Sequence, residues 1–181
     1  FAASDDGDYF SRSYHVDLLW ALELLAWAPS RFMRVVRILT QLSKLPLPER
    51  LGNRPSESLL GLFRTWLPQT AAPIEQRIEA LKWLVTAEPE VASKITDKLV
   101  YRSSDVGSHG ARPHWRSDDA GHGRAIPPKD RVAMLIAAAD FQSELARDHV
   151  ERLNCLIDKL EAFAKPRVNR ILGAVEEFGR R

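Results

Sequence analysis

The sequence predicts an all-α fold, on three observations. Apolar residues recur at three- and four-residue intervals through most of the chain, in stretches separated by prolines. No window shows sustained apolar–polar alternation with β-branched enrichment, so no strand is predicted. One segment also occurs twice: Ala21–Pro29 is echoed 39 positions later by Leu60–Pro68, placing Trp27 on Trp66 and Pro29 on Pro68. Val35, Leu39 and Leu42 then align with Ile74, Ile78 and Leu81. A period of roughly 40 residues is that of HEAT- and armadillo-like antiparallel helix pairs, which stack because one pair cannot cover its own apolar face.

The elements follow in order. Ser13 is placed to cap a first helix from Tyr14 to about Trp27. Leu18, Trp20, Ala21, Leu24 and Leu25 make it apolar enough to be buried on more than one side. Pro29 ends it and Ser30 caps a second helix, from Arg31 to about Lys44. Its stripe is Phe32, Val35, Val36, Leu39 and Leu42, with Arg31, Arg34 and Arg37 largely off that stripe. In the second copy Ser56 caps a helix from Glu57 to Leu67 that ends at Pro68. Pro73 stands in the first turn of the next helix, where its missing N–H is harmless. There Ile74, Ile78, Leu81, Leu84 and Val85 point inward. Pro89 restarts the chain into a fifth helix, to about Tyr101.

Residues 102–128 break the pattern. This stretch is rich in Gly, Ser, Asp, Arg and His, and position 105, where a third Trp would fall, is Asp. So long a loop inside a domain is usually functional or disordered. Helical periodicity resumes from 129 to 181. The stripe runs through Val132, Leu135, Ile136 and Ala139, with a break near Asp148, and a last helix begins at Pro166. Helical pairs over 1–101, the polar loop and the C-terminal helices together read as one continuous helical domain, with a degenerate third repeat unit from Pro127 or with repeat neighbours outside the chain.

Bulk properties narrow the function. With 26 basic and 24 acidic side chains the net charge is +2, so no whole-chain electrostatic grip on nucleic acid or an anionic membrane is indicated. The single Cys155 excludes an internal disulfide; its apolar surroundings predict a small core residue, and its isolation fits the cytoplasm. The longest apolar run, Leu18–Ala28, contains Glu23 and is too short to cross a bilayer. Phe1 in place of methionine reads as a piece of a longer protein or a processed product.

Catalytic signatures are missing. There is no Gly-x-x-x-x-Gly-Lys-Ser/Thr phosphate loop and no Gly-x-Ser-x-Gly elbow. The carboxylate pairs Asp118–Asp119 and Glu176–Glu177 are sequence neighbours, which on a helix do not face one another. No cofactor is expected. His109, His114 and His122 lie on a Gly-rich loop at irregular spacing, a poor start for a tetrahedral zinc site. The same loop brings Arg112 and Arg116 to either side of His114 and Trp115. Arginines with one aromatic suit phosphate and a stacked base, though Asp105, Asp118, Asp119 and Asp130 offset the charge. Alternatively Trp115 anchors the loop to the helices. Asn53-Arg54-Pro55 reads as a tight turn, with Arg54 a further candidate for a partner contact.

The run Leu18–Pro29, with Asn53-Arg54-Pro55, Ser58-Leu59, Phe63, Trp66–Thr70 and Arg112–Arg116, resembles a helical region of large, mostly uncharacterised bacterial proteins. Those proteins carry a STAND-type ATPase module elsewhere, and some are associated with defence against phage. The match spans Leu18 to Arg116 and carries no catalytic motif. The resemblance implies a non-catalytic scaffold or sensor segment that contacts a protein partner or other domains of the same polypeptide. The alternative is a nucleic-acid-binding helical module using Arg112, Trp115 and Arg116.

Overall fold

The computed structural model describes residues 14–47, 52–100, 126–158 and 160–180. Among them are eight α-helices: α1 (Tyr14–Ala26), α2 (Pro29–Ser43), α3 (Pro55–Phe63), α4 (Ile74–Ala87), α5 (Pro89–Val100), α6 (Pro128–Ala146), α7 (Val150–Ile157) and α8 (Lys165–Gly179). A single 3-10 turn, Leu160–Ala162, precedes α8, and the described residues contain no strand. The fold is all-α.

Proline places the helix starts. α2, α3, α5 and α6 each begin on a proline, and Pro166 is the second residue of α8. The first N–H groups of a helix have no internal acceptor, so proline loses nothing there and its fixed φ suits the turn. This corrects the capping roles expected of Ser30 and Ser56. The residues before α2 and α3 are Ala28 and Arg54, both extended, and neither makes a side-chain cap. Ser13 lies outside the described residues.

The chain divides by its contacts between Pro73 and Ile74, inside the second copy of the repeat. In the first unit α2 packs against both α1 and α3. Its core joins Leu19 and Leu22 of α1 to Phe32, Val36 and Leu39 of α2 and to Leu59, Leu62 and Phe63 of α3. Phe32 and Phe63 meet edge to face, with ring centroids 6.3 Å apart and planes at 78°. α1 buries one stripe rather than several sides, and Trp20 stays 52% exposed.

The two copies of the repeat differ in this structure. Two residues separate α1 from α2, whereas α3 stops at Phe63 and residues 64–73 run on without helix. Trp27 is 2% exposed and its counterpart Trp66 is 37% exposed. Arg64 leaves the helical region (φ −59°, ψ 128°), and the segment after it turns back onto the end of α1. There the Thr70 hydroxyl donates to the Ala26 carbonyl at 2.6 Å and the Ala71 N–H donates to the Trp27 carbonyl at 3.1 Å. The last carbonyls of a helix lack internal donors; the second copy supplies them here, and helix continuity beyond Phe63 is given up. Thr70 Oγ1 also accepts from the Ala72 N–H at 3.0 Å. Thr70→Val therefore leaves a buried donor and a buried acceptor unmet and is expected to cost about 1–3 kcal/mol, with Thr70→Ser much milder. Urea denaturation checks this, and equal losses for both variants would contradict it.

The second unit contains α4 to α8. α6 packs on α4 and α5 and also on α7 and α8. Ala92 of α5 and Ala138 of α6 are fully buried small residues, and such residues let helix backbones approach closely. This moves the inward face of α6 to Met134, Ala138, Ala139, Gln142 and Leu145. Val132, Leu135 and Ile136, expected inside, are exposed. Leu153, Leu156 and Ile171 form a second small cluster with Ala146, flanked by Val175 and Phe163. Leu153 and Leu156 set the inward side of α7, so Cys155 falls on the outer side and is exposed, correcting its expected burial.

Candidate functional site

Of the residues singled out in the sequence, Arg112, His114, Trp115 and Arg116 lie outside the described residues, as do His109 and His122. Arg54 is described. It precedes Pro55 in extended geometry (φ −114°, ψ 140°), and its carbonyl accepts from the N–H groups of Glu57 (3.0 Å) and Ser58 (3.2 Å). That is the turn predicted for Asn53-Arg54-Pro55, and it opens α3.

Two side chains of α1 reach the same turn. His15 Nε2 donates to the Asn53 carbonyl at 2.9 Å. The Ser58 hydroxyl donates to Glu23 Oε1 at 2.6 Å. The start of α3 is thus held by α1 at two points, with a histidine, a carboxylate and a hydroxyl all occupied in positioning backbone or one another. Arg64, at the other end of α3, lies 3.6 Å from Glu57 and 6.0 Å from the Trp66 ring centre. These contacts orient the turn and the pinned segment; they assemble no nucleophile with a base.

In the second unit a polar relay crosses three helices. Buried Gln142 of α6 donates through Nε2 to Asp97 of α5 and accepts at Oε1 from Arg167 of α8, 2.5 Å away. The Arg167 guanidinium lies over the Phe163 ring, 3.7 Å from its centre. Each amide atom of Gln142 meets a charged group of the sign it prefers, which makes the glutamine a neutral spacer within an ion pair. Gln142→Ala strands a carboxylate and a guanidinium in part-buried positions. It is expected to cost about 2–3 kcal/mol. In a double-mutant cycle, adding Asp97→Asn should cost much less than it does in the wild-type chain; full additivity would show that the relay is not coupled.

Arg77, on α4, is buried on the inward stripe between Ile74 and Leu81. Burial pushes its guanidinium down from the ordinary arginine value to about 10, which leaves it charged at neutral pH. Sequence reading missed Arg77, Gln142 and Thr70. The first two do stand at inward positions of their helices, so a polar residue interrupting the stripe was the available signal.

Among the described residues no group of three or more His, Cys, Asp or Glu side chains could hold a metal ion. No described helix is long and apolar enough to cross a membrane. No family model matches the chain, and no curated protein or solved structure matches it.

Proposed function

We propose that the chain is a non-catalytic helical recognition segment of a larger bacterial NTPase of the STAND type. It docks against a protein partner or other domains of the same polypeptide and passes recognition to an ATPase module elsewhere. The observation that carries this reading is the outer face of α6. Val132 and Ile136, one turn apart, are 53% and 56% exposed, with Leu135 exposed beside them. A row of branched apolar side chains facing water marks a surface that another element covers. Repeat arrays bury such faces against the next unit, and two copies fall short of the three that usually make a stable array. The resemblance of Leu18–Arg116 to helical regions of those proteins supports the same reading, and a cytoplasmic location goes with it.

The experiment compares the isolated chain with the longer polypeptide that carries the ATPase module. Ile136→Cys in a Cys155→Ser background is labelled with a maleimide. Labelling is expected to be fast in the isolated chain and at least roughly tenfold slower in the longer polypeptide, where a covering helix must open first. Equal rates in both would remove the reading. So would nuclease, hydrolase or ATPase turnover by the isolated chain that a single substitution abolishes.

A further inference from the structure

Three of the polar ties in the second unit cross one packing boundary with the same polarity. Glu90, Asp97 and Asp140 stand on α5 and α6, and Arg152, Arg167 and Arg170 stand on α7 and α8. Arg152 donates to Glu90 at 2.5 Å and to the Leu145 carbonyl at 3.1 Å. Arg170 donates to Asp140, and Arg167 reaches Asp97 through the Gln142 amide. The apolar contact beneath these ties is small. Leu153 and Leu156 are the buried residues of α7 and Ile171 is that of α8, and they close on Ala146 of α6. By contrast α4, α5 and α6 pack on one another and bury Leu81, Leu84, Ala92, Ile95, Met134 and Ala138. Elements with few buried contacts open locally before the rest of a fold.

We propose that α7 and α8 form an arm, clasped by these ties, that opens about residues 147–149 while α4, α5 and α6 stay folded. Arg147, Asp148 and His149 are exposed between α6 and α7, and His149 is extended at φ −132°, ψ 103°. Backbone rotation there moves the arm without melting α6. Surface ion pairs are worth little one by one, and they weaken as salt shortens the Debye length from about 10 Å at 0.1 M to about 3 Å at 1 M. Arg170 and Asp140 are 59% and 47% exposed and Glu90 is 78% exposed, so two of the three ties lie within reach of that screening. The tie through Gln142 is part-buried and responds less. Opening bares Leu153, Leu156 and Ile171 beside the arginines of the arm, and leaves the carboxylates on α5 and α6. The arm thus converts ionic strength, or competition by another charged surface for the same groups, into exposure of a small apolar cluster.

The test is maleimide labelling of the 181-residue chain in a Cys155→Ser background. Ala146→Cys places a thiol on α6 beneath the arm, and Leu153→Cys reads the same opening from α7 with a smaller side chain than it replaces. Thr96→Cys, fully buried on α5, is the control for opening of the remainder. Between about 50 mM and 1 M sodium chloride, labelling at 146 and at 153 should accelerate roughly fivefold or more, and labelling at 96 by less than about twofold. Arg152→Gln with Arg170→Gln should raise the low-salt rate at both arm positions by a similar factor and remove most of the salt response. Labelling at 146 and 153 that ignores salt overturns the proposal. So does acceleration at 96 in step with them, which would mean that the unit opens only as a whole. A full salt response in the double arginine variant overturns it as well. Position 136 is exposed whether or not the arm opens, so this proposal and the one tested there fail separately.

Discussion

Phe63→Ala is expected to lower the stability of the first unit by about 3–5 kcal/mol. Phe63 is fully buried at the end of α3, and its ring meets Phe32 of α2 edge to face. Truncation removes the transfer free energy of the ring and leaves a cavity, because Leu59 and Leu62 are anchored on their own helix. It also removes an aromatic pair worth about 0.5–1.5 kcal/mol beyond its buried area. The unit holds its helices together chiefly through α2, so little elsewhere can compensate. Domains are stable by only about 5–15 kcal/mol, and the loss is a large share of that. In thermal denaturation the midpoint should fall by roughly 6–20 °C. Leu172→Ala, at an exposed position of α8, serves as the control and should change stability by less than about 0.5 kcal/mol. A Phe63→Ala midpoint within a degree or two of wild type would mean that α3 does not seat its ring in this core.

Arg77→Ala is the second large effect, expected at about 2–5 kcal/mol. The side chain is 1% exposed and fills volume on the inward stripe of α4. Its Nε has no hydrogen-bond partner, although the residue is engaged through other contacts. Arg77→Met keeps the straight stem and discards the buried charge, so it should lose less than half of what the alanine variant loses. Should both variants lose the same amount, the guanidinium contacts rather than the stem would be what matters. The pH sign follows from the depressed value. The fold releases this proton near 10, and the unfolded chain keeps it to the higher pH of an ordinary guanidinium. The unfolded state therefore binds more protons between those values, and the contribution of this group to stability rises with pH across that window. Below pH 10 its desolvation cost is constant, so stability around neutrality should not respond to this group.

Much of the fold was legible in the chain. The stripe of Phe32, Val35, Val36 and Leu39 on α2, the restart at Pro89 and the break near Asp148 are all where periodicity and proline predicted them. Four errors have one cause. Trp66 and Trp27 share a sequence context and differ in burial, Val132 and Ile136 face outward, Cys155 is exposed, and α3 stops four residues early. Periodicity shows that a helix has an apolar side. It does not show which part of that side a neighbour covers. On α6 the pattern admitted two overlapping stripes, and close packing of Ala138 in the core selected the one with the smaller residues.

The site residues divide in the same way. The turn at Arg54 was readable because proline restricts the residue before it by local sterics. The relay from Asp97 through Gln142 to Arg167 joins residues 45 and 25 positions apart in sequence. No local rule links them.

By itself, then, the sequence determined that this protein is helical, where most of its helices begin, and which face of α2 is apolar. These depend on steric and solvation preferences acting within a few residues. Only tertiary structure decided that residues 64–73 abandon the helix to cap α1, that Arg77 and Gln142 go inside, and that the outer row of α6 stays uncovered. Each of those outcomes is a competition between a local preference and a contact with a distant segment, and the free energy of the distant contact is not contained in either segment alone.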